Sequence, residues 1–409
     1  MFFSSWLRNR KSSRGLRCQG PRFHPRLEAL EDRWMPSTLT VTSPLDDGSG
    51  GTLRATIAAA ASGDTIVFAN SLSGQTITLN GNELIINKNL NIQGPAGTTQ
   101  LAISGNHLSR VFDVPSPPTG SIVFPQVSLS GLTIEYGNAG TGYAFGGAID
   151  NGGTLSLSVC NFSDNLSIGQ GGAIDSFGSL KLDGCNFSGN IAPADGGGIY
   201  GDGPITASNC VFSNNSSAGS GGAIAHYNSP LSLSGCNFSG NNAWNGDGGA
   251  IFDAGGGVGA LMVNLSKCTL SGNKAHTQYP NQFLLGYGNG GAIYSGIATT
   301  RLTSCTLSGN SAANGGAIFS SQDKFNSLTL SGCTITSNTA TSNGGGLYNY
   351  YGDASIQNTS ITKNSAGLQG GGIFNNVAAT VYLDFSSVVS ANLAPDGADI
   401  YNLGHVKKG

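Results

Sequence analysis

Charge is scarce in this sequence. Asp, Glu, Lys and Arg make up only 10% of the 409 residues, against about 25% in ordinary globular domains. No apolar run reaches the ~18 residues of a membrane-spanning helix. C-x-x-C spacing is absent, so a zinc site of the common kind is excluded. His24, His107, His226, His276 and His405 fall in no Ser/His/Asp or metal pattern. GGGVGA at 255–260 lacks the lysine and the strand–helix context of a phosphate loop. The charge that exists is uneven. Residues 1–35 hold 8 of the 19 Lys+Arg (Arg8, Arg10, Lys11, Arg14, Arg17, Arg22, Arg26, Arg33) and 3 of the 22 acids (Glu28, Glu31, Asp32). The remainder is mildly acidic, which gives no nucleic-acid footprint. The apolar start MFFSSWL stops at Arg8, short of a secretory core of about 7–15 residues.

What abounds is glycine, at 64 residues, about twice its usual ~7% share, with Ser, Thr and Asn filling much of the rest. That composition suits short strands and tight turns. Leu, Ile, Val and Phe recur at fixed positions and net charge is near zero, which argues against disorder.

The fixed positions form a repeat. CNFSGN occurs at 185 and 236, with CNFSDN at 160, CVFSNN at 210, CTLSGN at 268 and 305, and CTITSN at 333. A second motif, GG[AG][IL], begins at 146, 171, 196, 221, 248, 290, 315, 344 and 370. Units of about 25 residues are too short to bury a core alone and must stack as a solenoid. Within a unit the period is two. Leu231, Leu233, Cys236 and Phe238 face inward and Ser232 and Ser234 outward, the pattern of half-buried strands. Two short strands, a glycine corner and a third strand after GGAI complete one coil.

Stacking places equivalent residues in columns. Cys160, Cys185, Cys210, Cys236, Cys268, Cys305 and Cys333 share one. Asn165, Asn190, Asn215, Asn241, Asn273, Asn310, Asn338, Asn364 and Asn392 form another. The amides are expected to bond from coil to coil. Stacked cysteines would lie about 5 Å apart, within disulfide reach, but their parallel Cβ vectors favour buried, inert thiols.

The paired GGAI and F-x-x-N repeats over 146–392 resemble those of chlamydial-type polymorphic outer membrane proteins and, more broadly, right-handed parallel β-helix proteins of the pectate-lyase-like fold. GTLRATIAAAASGDTIVFA (51–69) is similar to the opening of bacterial surface β-helix proteins, and APDGADIYN (394–402) to the close of such arrays. RLEALEDRWMPST (26–38) resembles a segment near the start of secreted planctomycete-type proteins, which implies export. The chain departs from the polymorphic proteins in showing no β-barrel translocator and no C-terminal aromatic anchor before Gly409.

The expected fold is therefore all-β: one right-handed parallel β-helix over 39–404, of about 13 coils and roughly 60 Å long at ~4.8 Å per coil. A basic N-terminal targeting or disordered segment (1–38) precedes it and a disordered tail (405–409) follows. A short capping helix near 52–61 is expected to cover the first coil with Leu53, Ile57 and Ala60.

Two places could carry chemistry. After GGAI stand Asp150 and Asp175, then Tyr200, Ala225, Phe252, Tyr294, Phe319, Tyr348 and Phe374. Stacked carboxylates either bind a cation such as calcium or raise one pKa. They are the candidates for catalysis and for calcium; otherwise the column is a turn ladder. Glu135 is a nearby acid, with no Lys or Arg at a matching position. The second place is a pair of insertions, at 252–262 and 274–289, expected to emerge as side loops. Trp244, Asp247, Asp253, His276, Tyr279 and Tyr287 lie in or near them, a mixture suited to glycans. The alternative is a loop folded on its own Phe283–Leu285.

These readings point to an extracellular or cell-surface structural or adhesive protein, expected to be monomeric, without cofactor unless calcium binds. Its partners would be polysaccharide or cell-envelope components. The alternative is a polysaccharide lyase or glycoside hydrolase, disfavoured by the few scattered cations of 139–400: Lys181, Lys267, Lys274, Arg301, Lys324 and Lys363.

Overall fold

A computed structural model of the chain describes residues 35–97, 99–140, 145–255, 262–276, 288–322 and 326–409. The chain divides into the units Met1–Met35 and Pro36–Gly409, and the β-structure belongs to the second. Among the described residues it is a parallel β-solenoid of about 13 turns with one short α-helix.

Each face of the coil comes from one piece of the repeat. Thr154–Ser158 pairs in parallel with Ser179–Asp183, which sets Leu155 on Leu180 and Leu157 on Leu182. Asn161–Ser163 pairs with Asn186–Ser188, setting Phe162 on Phe187, within a sheet of 12 strands. Ile149–Asn151 pairs with Ile174–Ser176 after the glycine pairs. A fourth face, absent from the three-strand expectation, is a 7-stranded sheet of very short strands such as Ile191–Ala192 and Ser216–Ser217. Two or three residues after each Asn are too few for a period to register.

The interior is columnar. Phe162, Phe187, Phe212 and Phe238 stack face to face, with centroids 4.7, 4.8 and 4.7 Å apart and planes within 7°. The seven column cysteines are free and buried. Their thiols donate to main-chain carbonyls, as Cys210 Sγ does to Ser208 at 3.2 Å. The asparagine column is continuous. Each Nδ2 donates to the next Oδ1, at 2.9 Å from Asn165 to Asn190 and at 2.8 Å from Asn190 to Asn215. It also donates to a carbonyl of the preceding coil, as Asn190 does to Phe162 at 3.0 Å. The column ends where Asp399 Oδ1 accepts from Asn392 Nδ2 at 3.0 Å, a terminus not foreseen.

Glycine is required at the corner itself. Gly171 adopts φ +63°, and a Cβ there would collide with the Ile174 carbonyl, a conformation that costs an L-residue about 1 kcal/mol or more.

At the first coil the helix Leu53–Ala59 is capped by Thr52, whose hydroxyl accepts from the Ala55 amide at 3.3 Å. Leu53, Ile57 and Ala60 are buried and join the core with Val41. At the other end the expected tail is instead a strand. His405–Lys408 pairs in register with Thr380–Leu383. Its alternation is too short and too basic to read as one, and the neighbouring strand recruits it.

Candidate functional site

The outward column after the glycine pairs starts earlier than the repeat does. Phe112–Val114 pairs with Ile149–Asn151, so Asp113 precedes Asp150 and Asp175 in register. An arginine is present after all. Arg110 lies three residues before Asp113 and reaches across a coil, with its guanidinium 3.6 Å from Asp150 and 4.0 Å from Asp113. It donates to Glu83 at 3.0 Å and to the carbonyls of Phe145 and Gly146 at 2.9 and 3.1 Å. Glu135 stands on a different face, paired beside Ser163.

Three carboxylates, Glu83, Asp113 and Asp150, thus stand within 4.0 Å of one guanidinium, and Asp175 follows in the column. Burial, followed by the Glu83 charge, pushes the Asp113 carboxyl up to about 6. Burial also raises Asp150, against the pull of Arg110. Asp175 is fully buried, neither of its carboxylate oxygens has a hydrogen-bond partner, and burial and the Asp150 charge push it up to about 8. Among the described residues, no group of three His, Cys, Asp or Glu stands close enough to hold a metal ion.

Beyond Asp175 the column turns aromatic. Tyr200, Tyr227, Phe252, Tyr294, Phe319, Tyr348, Phe374 and Tyr401 follow one another at centroid distances of 4.5 to 5.6 Å. Tyr227 bridges the gap left by Ala225. From Phe252 to Tyr401 the rings stack on one another, while Tyr200, Tyr227 and Phe252 meet at a tilt.

The side-loop candidates separate. Trp244 is 46% exposed. Its ring meets His276 of the next coil at 4.7 Å, edge to face, and its Nε1 donates to Ser216 at 2.9 Å. Burial and then the Lys274 charge hold the His276 imidazole below its usual value. Asp247 is nearly buried and accepts from the backbone and side-chain amides of Asn289 at 2.8 and 3.1 Å. Burial pushes it up to about 7.

The structure places Asp253 inside the coil rather than on a loop. It follows Ile251 and Phe252 in the strand Ile251–Gly255, so alternation turns it inward. There it meets the buried His226 at 3.1 Å. Tyr279, Tyr287 and Phe283–Leu285 lie outside the described residues.

A family model for the Chlamydia polymorphic membrane protein repeat matches residues 184–202, 209–226, 267–296, 304–321 and 332–350. No curated protein matches the chain in sequence. Among solved structures, pectate lyase Pel9A is 15% identical with a TM-score of 0.35, covering 84% of this chain and 78% of that one. Geobacillus virus E2 ORF18 is 14% identical with a TM-score of 0.33, covering 88% of this chain and 59% of that one. A rhamnogalacturonan lyase is 9% identical with a TM-score of 0.28, covering 91% of this chain and 86% of that one. Among the described residues no helix is long and apolar enough to cross a membrane. The chain is a parallel β-helix, five stretches of which match the model of the Chlamydia polymorphic membrane protein repeat.

Proposed function

We propose that the protein is a secreted or cell-surface β-helix scaffold that adheres to glycans at its outward aromatic pair. Trp244 carries the reading. A large ring 46% exposed on a rigid coil, braced by His276 and Ser216, is a preformed sugar platform. The matched repeats support the surface setting. The outward positions of the repeat strands are mostly Ser, Thr and Asn, as in Thr154–Ser158 and Asn161–Ser163, which suits polar hydroxylated partners. Binding of the full chain to a panel of cell-envelope and plant polysaccharides tests this. Retention on at least one polymer, weakened about tenfold or more by Trp244→Ala, is expected, since a stacked aromatic contributes on that order. Equal retention by the variant would remove the site.

A second reading, glycan cleavage, is favoured by one observation: Asp113, Asp150 and Asp175 in register beside Arg110. Two features weigh against it. Asp175 has no exposed surface, and the guanidinium is already held by Glu83 and two carbonyls. Neither is placed to exchange a proton with a polymer.

A further inference from the structure

The short sheet beside Trp244 holds charge of one sign. Its seven strands contain no Asp or Glu, and Lys274 is their one cation. Asn242 pairs with Ser216 on the coil before and with Lys274 on the coil after. Alternation turns Asn242 and Trp244 outward around the buried Ala243, and Lys274 and His276 outward around the buried Ala275. Lys274 is exposed and has no acidic partner among the described residues. Asp247, the acid nearest to Trp244 along the chain, is nearly buried and already accepts from Asn289.

The polar groups around the indole turn donors toward solvent. The Asn242 amide is satisfied with Oδ1 accepting from Trp244 Nε1 at 2.9 Å and Nδ2 donating to His276 Nδ1 and to the Lys274 carbonyl, each at 3.3 Å. An accepting Nδ1 leaves the proton of a neutral imidazole on Nε2. Burial and then the Lys274 charge hold His276 below its usual value, so the ring is neutral near neutral pH. Its Nε2–H is a donor without a partner among the described residues, and the Lys274 ammonium adds more. The indole itself is open. His276 meets it edge to face on one side. On the other, Ser216 stands beside Asn242 with Ala218 following, side chains too small to cover a ring of that size.

We propose that Trp244, Lys274 and His276 form a subsite for a sugar that bears a carboxylate, with the indole against the apolar face of the sugar ring and the Lys274 ammonium and His276 Nε2–H donating to the carboxylate oxygens. The inference rests on the glycan platform at Trp244 and adds the class of sugar that the platform takes. Uronic and sialic acids both carry a carboxylate on a pyranose ring. A cation with no acid beside it selects them over neutral sugars.

Isothermal titration of the full chain at low salt and neutral pH tests the proposal. The ligands are galacturonate oligomers and their methyl esters, sialyllactose and lactose, and polyglutamate. Galacturonate oligomers or sialyllactose are expected to bind, and the one that binds identifies the source of the carboxylate. Its uncharged counterpart, the methyl ester or lactose, should bind about tenfold or more weakly, the scale of a lost charged hydrogen bond. Lys274→Met should erase that difference, and His276→Phe, which keeps a ring against Trp244, should reduce it. Trp244→Ala should weaken charged and neutral sugars alike. Neutral sugars bound as tightly as charged ones, with loss in Trp244→Ala, would overturn the inference and leave the platform standing. A preference for the carboxylate unchanged in Lys274→Met would overturn it too, as would polyglutamate bound as tightly as the sugars. Binding of none of the sugars, or binding indifferent to Trp244→Ala, would remove the platform and the inference together.

Discussion

The side-chain amide of Asn190 donates to Oδ1 of Asn215 at 2.8 Å, and its backbone N–H donates to the same oxygen at 3.2 Å. Asn215 in turn donates to the Phe187 carbonyl at 3.0 Å and to Asn241 Oδ1 at 3.0 Å. One buried amide thus ties its own coil to the coils before and after it, where none of these groups has access to water.

Removing one rung should therefore destabilise well beyond its own size. Asn215→Ala strands two donors of Asn190 and the Phe187 carbonyl. At about 1–3 kcal/mol for each buried unsatisfied group, a loss on the order of 3 kcal/mol or more is expected. Denaturant unfolding measures it. Because a solenoid unfolds by neighbouring units, hydrogen exchange should quicken first in the coils around 190–241.

The thiols are predicted to be inert in the folded chain. All seven column cysteines are buried, and a thiol must be an accessible thiolate to react. A thiol reagent should leave them unmodified in buffer and modify all of them in denaturant. Mass spectrometry of the labelled chain distinguishes the two states. Rapid labelling in buffer would mean that coils open locally.

The acidic column should make stability fall with rising pH. The Asp175 carboxyl rises from 3.8 to about 8, so the folded chain keeps a proton that the unfolded chain has lost. The stabilisation is complete below about pH 4 and is lost as pH rises through about 8. Asp113, raised to about 6, adds the same sign over the lower part of that window. Thermal melts from about pH 5 to about pH 9 should show the decline, and Asp175→Asn, neutral throughout, should flatten it.

Legibility in the sequence followed repetition. Phe187, Cys185 and Asn190 recur in many units, so one period-two reading assigns them all, and the coils stack as that reading requires. Where the chain does not repeat, the reading thins. Arg110 and Asp113 belong to irregular early coils, where nothing in sequence shows which residue rests on which. A long guanidinium crossing a coil leaves no periodic trace. His226 and Asp253 obey the alternation that turns them inward, but their polarity suggests a surface, and only their mutual contact explains their burial. Asp399 closes the amide column from seven residues beyond Asn392, through a fold-back that no spacing rule announces.

Exposure of wild-type chain to the same polysaccharide panel, with and without calcium, followed by assay for new reducing ends and for the ultraviolet absorbance of unsaturated sugars, tests the central claim most directly. The account predicts retention on a glycan with no product, since Asp175 is sealed and Arg110 is occupied. Product formation that disappears in Asp113→Asn and Asp150→Asn would contradict it and make the acidic column an active site.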